Sequence, residues 1–282
     1  MKQGKINKVS ICGCGWLGLP LARHLAQRGI ETWGSKQSSE QAGKLAEHGI
    51  HGVALSLPDT LAQPETLSLE IKQFLDTDLL VINVPPGRYE GAADDLVAKV
   101  KLLSATARQV GCRRIVFIST TAVYGECQGV VDELTVPRPD TLSAQAHYEL
   151  EQYLLAEWGS EAVILRLSGL IGPNRHPVRF LSGRKGIEHG KDKVNLIHQT
   201  DCIAAIEQLI EYWPSQQVLH LAAPDHPSRE DYYRQMAHIA GLPLPEFVES
   251  VERNSKVIDA SKTCNWLSLT LRHADLLNNN PE

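Results

Sequence analysis

The chain has 282 residues, 43% of them apolar, enough to fill the core of one large domain or of a domain with a smaller lobe. Its 28 basic and 33 acidic residues leave a net charge of −5 with neither sign gathered into a block, which argues against nucleic acid or a membrane surface as partner and for a soluble monomer or homodimer acting on a small molecule. The apolar runs are of strand length, well under the roughly 18 residues of a membrane span, and MKQGKINKVS lacks the apolar core of a signal peptide, so the expected compartment is the cytoplasm.

The first predicted strand, KVSIC (8–12), runs into GCGWLG, and LPLARHLAQRG follows as its helix, closed by Gly29 where a left-handed C-cap belongs. Gly13, Gly15 and Gly18 make GxGxxG. A turn this tight needs the torsional freedom of glycine, phosphates must reach bare backbone, and the helix start offers N–H groups and a positive dipole end to a pyrophosphate. The motif alone is weak. Set between a strand and a helix at the start of an alternating chain, it predicts a dinucleotide site built from Gly13, Gly15, Trp16, Leu17 and Gly18. Cys12, Cys14, Cys112, Cys127, Cys202 and Cys264 show no CxxC pair and no zinc spacing, so reduced thiols are expected and no metal site is predicted.

The second strand, ETWGS (31–35), bears on which dinucleotide binds, because an NAD site places a carboxylate for the ribose hydroxyls about 20 residues beyond the first glycine. Here WGSKQSS supplies Ser35 and Lys36 and no carboxylate. A hydroxyl and an ammonium suit a 2′-phosphate, so NADP is preferred over NAD. GVALSL (52–57) and LLVINV (79–84) are the next strands, the second nearly continuous in apolar residues as a strand covered on both faces must be. Asn83 and Pro85, with Pro86, are expected along the adenosine side. The helix DDLVAKVKLLSATARQVG, stopped by Gly111, leads to RIVFIST (114–120).

HYELEQYL (147–154) sets Tyr148 on one helix face with Gln152, four residues later. Leu150, Leu154 and Leu155 mark a buried stripe; Tyr148 lies about 200° round from Leu150, compatible with facing a cofactor or water. AVILRLS (162–168) and QVLHLA (217–222) complete the predicted strands. Short β-branched runs alternating with helical periods predict an α/β fold, a Rossmann-type doubly wound parallel sheet of about seven strands. GPNRHPVRFLSGRKG and the stretch from Pro224 onward are rich in proline, glycine and charge. They divide the chain into an expected dinucleotide-binding domain, 1–171 plus 193–224, and a small C-terminal substrate lobe, 172–192 plus 225–282. Arg175 and His176 follow the sixth strand, at the edge where open α/β sheets bind ligands, and suit an anionic substrate group. In LIHQTD, Asp201 is expected to cap a helix over 202–211.

The run STTAVYG, at the end of the fifth strand, resembles the active-site strand of extended short-chain dehydrogenases and nucleotide-sugar epimerases. ILRLSGLIGP, NLIHQTDCIAAI and VLHLAAP resemble that superfamily's sixth strand, its later segment returning to the sheet and its seventh strand, so the resemblance spans most of the chain. GCGWLGLPLA, GSK, GPNRHPVRF and KVIDASK are most similar to the atypical YeeZ-like branch of NAD(P)-binding epimerase or dehydratase homologues. The resemblance implies Thr120 as the catalytic hydroxyl and Tyr148 as the acid/base, with Tyr124 and His198 joining Arg175 and His176 along the substrate. It also implies a lysine four residues after the tyrosine, which lowers the phenol pKa and holds the nicotinamide ribose. No Y-x-x-x-K occurs in this chain, and Gln152 stands in that place. An ordinary phenol near pKa 10 is only about 0.1% ionised at pH 7, and His147 is an alternative proton carrier with a better-suited intrinsic pKa. Two functions therefore stand open. One is an enzyme moving hydride between a nicotinamide and a secondary alcohol or ketone of a sugar nucleotide or other small substrate. The other is a non-catalytic dinucleotide-binding or redox-sensing protein.

Overall fold

Strand-forming runs and helical stretches alternate along the chain in a computed structural model that describes residues 5–249, 251 and 254–281; residues 1–4, 250, 252, 253 and 282 of the expected domain and lobe lie outside the described residues. The first half comprises β1 (Lys8–Cys12), α1 (Gly18–Gln27), β2 (Glu31–Lys36), α2 (Ser39–Gly43), β3 (His51–Ala54), α3 (Leu69–Leu75), β4 (Leu79–Ile82), α4 (Ala92–Val110) and β5 (Ile115–Thr120). Then come β6 (Val130–Val131), α5 (Leu142–Trp158), β7 (Ala162–Leu167), β8 (Gly169–Ile171), α6 (Val178–Leu181), β9 (Leu196–His198) and α7 (Gln199–Glu211). The described chain closes with β10 (Val218–Leu221), α8 (Arg229–Ile239), β11 (Val257–Ile258) and α9 (Ser261–Trp266).

Seven of these strands pair in parallel in the order β3-β2-β1-β4-β5-β7-β10. The order runs outward in both directions from the β1–β4 boundary, and an open sheet of this kind binds ligands in the crevice at the carboxyl ends there. Every residue of β4 and β7 is buried because both faces are covered. Leu21, Leu25, Ile206 and Leu209 pack one face, while Phe74, Val100, Leu103, Leu150 and Leu154 pack the other. Each such side chain contributes about 1.5–3 kcal/mol through burial.

All the expected sheet strands are present, the first with the expected bounds and the other six with ends shifted by one to three residues. GVALSL leaves the ladder at Ala54 and LLVINV at Ile82. Past Ile82 the Asn83 N–H still donates to the Cys12 carbonyl at 2.9 Å, but Pro85 and Pro86 follow with no N–H to continue the ladder, and the Asn83 side-chain amide donates to the Gly13 carbonyl at 3.1 Å. Two short parallel ladders, β8 with β9 and β6 with β11, were not expected; runs of two or three residues are too short to show alternation. The β6–β11 ladder brings the C-terminal segment beside the chain that leaves β5. A separate apolar cluster, including Ile171, Val178, Tyr232, Met236 and Leu276, underlies the loop after β8. No helix among the described residues is long and apolar enough to cross a membrane.

Asp201 does not cap a helix. α7 begins at Gln199, earlier than expected, so the His198 ring takes the capping position and accepts from the Thr200 N–H at 3.2 Å. The Asp201 carboxylate, fully buried, accepts instead from the backbone N–H groups of Arg272 and His273 at 2.8 and 3.1 Å, fastening the C-terminal segment to the start of α7.

Candidate functional site

The glycines of GCGWLG are required for different reasons. Gly13 has φ +99, and a Cβ there would lie 2.3 Å from the Asn83 carbonyl oxygen; a Cβ on Gly18 would lie 2.2 Å from the Gly13 oxygen. Packing within the chain accounts for both. At Gly15 a Cβ would meet nothing within 4 Å, so nothing in the described fold demands a glycine there. Bare backbone facing open space is what a pyrophosphate needs to approach closely. Leu17, at the N-cap of α1, makes no side-chain cap, and its side chain is buried in the core, which leaves the helix start open to an anion. The turn and helix thus fit a dinucleotide. Burial pushes the thiols beneath it up, Cys12 to about 12 and Cys14 to about 11, so they are protonated packing groups at neutral pH.

Ser35 lies inside β2, not past its end. Its side chain is buried and its hydroxyl oxygen accepts from the Gly13 N–H at 3.0 Å, so it buttresses the turn and is not presented to solvent beside Lys36. Lys36 is the last residue of β2, partly exposed, with no carboxylate partner among the described residues. Pro85 is exposed on the loop beyond Asn83.

At the end of β5 the structure separates residues that the motif placed together. Thr120 is partly exposed, and its hydroxyl oxygen accepts from the Ala122 N–H at 3.1 Å, leaving its own O–H free to donate outward. Tyr148 is partly buried on α5, packed at the edge of an apolar cluster of Val123, Tyr124, Val131 and Ile258. Its phenol has no hydrogen-bond partner among the described residues, and Gln152 is exposed. Tyr124 is fully buried. Its oxygen takes a hydrogen bond from Arg166 Nη1 at 2.5 Å and lies 2.5 Å from His220 Nε2 and 3.2 Å from the Asp132 carbonyl, so it faces the interior. His147 also faces inward, donating from Nδ1 to the Ser143 carbonyl at 2.8 Å, with its pKa lowered by burial.

Behind Tyr148 lies a network absent from the sequence reading. Glu151, fully buried, receives Arg166 Nε at 3.0 and 3.1 Å and Nη2 at 2.5 Å, and accepts from the Ser119 hydroxyl at 2.5 Å. Burial pushes Tyr124 up to about 12 and, with the Arg166 charge adding to it, holds His220 down at about 4. Both are therefore neutral at pH 7. Ser168, which follows β7, is 5% exposed, and its hydroxyl has no partner among the described residues. Lys256 reaches in from the C-terminal segment to donate to the Gly125 carbonyl at 2.7 Å, its pKa lowered by burial.

The loop after β8 carries the remaining candidates. His176 and His198 line one cavity of about 210 Å³ with Ile171, Gly172, His273 and Asn278 to Asn280. The His176 Nδ1 accepts from the Val178 N–H at 3.2 Å, so the proton of its neutral ring sits on Nε2, 2.8 Å from the Tyr232 hydroxyl; burial lowers its pKa to about 4. His198 stacks on His273 with ring centroids 3.6 Å apart. Arg175 lies outside this cavity, exposed, its guanidinium 5.0 Å from the centre of the Trp16 ring. No group of three or more His, Cys, Asp or Glu among the described residues could hold a metal ion.

Comparison with known proteins agrees with this geometry. The model of the NAD dependent epimerase/dehydratase family matches residues 11–202. Protein YeeZ of Escherichia coli (strain K12) is 38% identical over 278 residues, covering 96% of this chain and 98% of that protein. The structure of a putative NAD-dependent epimerase/dehydratase from Methylobacillus flagellatus superposes with a TM-score of 0.75 at 23% identity, over 96% of this chain and 95% of that one. The dTDP-glucose 4,6-dehydratase of Bacillus anthracis str. Ames, solved in complex with NAD, gives 0.76 at 16% identity, over 96% and 94%. With the sheet order, the glycine turn and a family match over most of its length, this chain belongs to the NAD dependent epimerase/dehydratase family.

Proposed function

We propose that the chain is an NAD(P)-dependent oxidoreductase or epimerase-like enzyme acting on a secondary alcohol or ketone in a small molecule, a sugar nucleotide or another hydroxylated compound. Tyr148 carries this reading. It is half-buried, its hydroxyl makes no hydrogen bond to the described residues and is open to solvent, and it sits on a helix packed against β5 and the turn that follows Thr120, where a ligand at the carboxyl edge of the sheet could meet it.

A bound nicotinamide would accept or return the hydride. Thr120 would donate its O–H to the substrate oxygen, and Tyr148 would give that oxygen a proton when a ketone is reduced and take it back when an alcohol is oxidised. α5 carries no lysine or arginine, and neutral Gln152 does not stabilise a phenolate as an ammonium would. This arrangement favours the reducing direction. The cavity at His176 and His198, lined by imidazole and amide groups, supports a hydroxylated portion of substrate. The preference for NADP rests on Lys36 alone once Ser35 is given to the turn. We read residues 1–171 plus 193–224 as the dinucleotide-binding domain and 172–192 plus 225–282 as the substrate lobe of a cytoplasmic monomer or homodimer.

A second reading, a non-catalytic dinucleotide sensor, is favoured by the missing cation beside Tyr148. Single-turnover oxidation of bound NADPH or NADH by a panel of ketones and keto sugars separates the two. Tyr148→Phe should slow it a hundredfold or more with cofactor affinity intact, and Gln152→Lys should raise it only while Tyr148 is present. Cofactor binding without turnover of any compound in the panel would leave the sensor reading in place, and turnover indifferent to Tyr148→Phe would assign the proton transfer to another group.

A further inference from the structure

The turn GCGWLG contains no cation, yet it is shaped for a pyrophosphate that carries two negative charges, and a helix start supplies only about half a positive charge. Two cations without a carboxylate partner among the described residues stand near it, Lys36 at the end of β2 and Arg175 on the loop after β8. Arg175 is exposed and its guanidinium has no carboxylate partner among the described residues. It lies against Trp16, the residue directly after Gly15, at 5.0 Å from the ring centre. A planar guanidinium stacked on an indole keeps its edge N–H groups free to bind an oxyanion.

This placement is held by the fold. The Trp16 indole N–H donates to the Pro173 carbonyl at 2.7 Å, and its backbone carbonyl accepts from Gln199 Nε2 at 2.6 Å. Gly172 and Arg175 exchange two backbone hydrogen bonds, at 3.0 and 2.9 Å, with Asn174 between them at φ 58. A Cβ on Gly172 would come within 3.3 Å of the Trp16 ring, so a glycine lets the loop lie this close. The loop from the substrate side is thus fastened across the glycine turn. An anion on the open backbone at Gly15 would have the start of α1 on one side and the guanidinium one indole away on the other.

We propose that Arg175 is a second hold on the cofactor pyrophosphate, reaching over Trp16 from the loop after β8, and that its anion is not the substrate's. This deepens the dinucleotide reading and rests on it. In consequence, the loop that bounds the His176 cavity is pinned when cofactor binds.

Calorimetric titration with NADH and with ADP, alongside the melting temperature of the unliganded protein, tests it in wild type, Arg175→Met, Arg175→Lys, Trp16→Leu and the Arg175→Met/Trp16→Leu double variant. Arg175→Met should weaken both NADH and ADP about tenfold or more with melting unchanged, since a charge-assisted contact is lost from an exposed side chain. Arg175→Lys should recover part of the loss. Trp16→Leu should weaken binding comparably, and the double variant should be no weaker than the worse single one. Wild-type affinity in Arg175→Met overturns the clamp while the dinucleotide site stands, and returns Arg175 to a substrate anion. Additive losses, or a lowered melting temperature in Arg175→Met, overturn it too. If wild type binds neither NADH nor ADP, the dinucleotide reading itself fails and takes the clamp with it.

Discussion

In the glycine turn, Gly13, Gly15 and Gly18 act through neighbouring stretches of backbone, whereas the polar groups behind Tyr148 come from well-separated elements: Ser119 on β5, Tyr124 after it, Glu151 on α5, Arg166 on β7 and His220 on β10. The first region is held by sterics and by hydrogen bonds that tie the Gly13 backbone to the Ser35 hydroxyl and the Asn83 amide, the second by a buried ion pair and its neighbours. A backbone site tolerates change in most side chains around it. A side-chain site can lose one member, as this one lacks a lysine at position 152, while the packing behind it stays whole.

The contrast can be broken hardest at Glu151. With Arg166 and Glu151 both buried, removing one partner strands a charge away from water. Glu151→Ala should therefore cost about 3–5 kcal/mol in urea unfolding, and Glu151→Leu with Arg166→Met should recover much of that by replacing the pair with apolar volume. A loss under about 1 kcal/mol for Glu151→Ala would show that the network does not hold the second region together.

Acid should reach the same region next, through His220, together with the His176 cavity after β8. His220 and His176 are held at about 4 in the fold, against 6.5 as the ordinary value, so the unfolded chain binds more protons between those values. Their stabilising contribution is complete above about 6.5 and falls as pH drops from there toward about 4. Asp132, kept low by the hydrogen bond from Lys262, contributes above its ordinary 3.8 and is lost only at lower pH, so it leaves that window clear. Urea midpoints measured from pH 8 to pH 4 should decline from about 6.5 downward; a flat profile over that interval refutes the buried neutral histidines.

The glycine turn is probed by a pair of substitutions. Gly13→Ala puts a methyl group 2.3 Å from the Asn83 oxygen at a φ that side chains avoid, so it should lose on the order of 1–3 kcal/mol of stability as well as cofactor binding. Gly15→Ala meets no atom of the protein and should melt like wild type while losing NADH affinity tenfold or more. Equal stability losses for both would mean that Gly15 is also a packing glycine.

How far the sequence could be read follows the same division. Strands β1, β4, β5 and β7 and the glycine turn were legible because their signals are local: an apolar run, a glycine spacing, a glycine at a helix end. Thr120 and Tyr148 were singled out only through resemblance. Arg166 and Glu151 were invisible, since a charged residue inside AVILRLS or HYELEQYL gives no sign that the two will meet. Tyr124 misled for the complementary reason: its place in STTAVYG fits a ligand contact, but Arg166 and His220, brought in by the sheet order, turn its hydroxyl to the interior. Ser35 misled by one residue, because β2 runs on to Lys36 and draws the hydroxyl under the turn.

The smallest expected effect belongs to Lys36, and it decides how much of the first region depends on a side chain at all. β2 ends there without a carboxylate to accept from ribose hydroxyls, and the Ser35 oxygen is engaged by Gly13, so an ammonium is what the strand end offers to a 2′-phosphate. Lys36→Glu should weaken NADPH about tenfold or more and leave NADH nearly unchanged, because only the former carries the extra phosphate. Stability should hardly move, since the ammonium has no carboxylate partner to lose. If wild type binds NADH and NADPH equally, the lysine is a solvated strand end and the site makes no choice between the two cofactors.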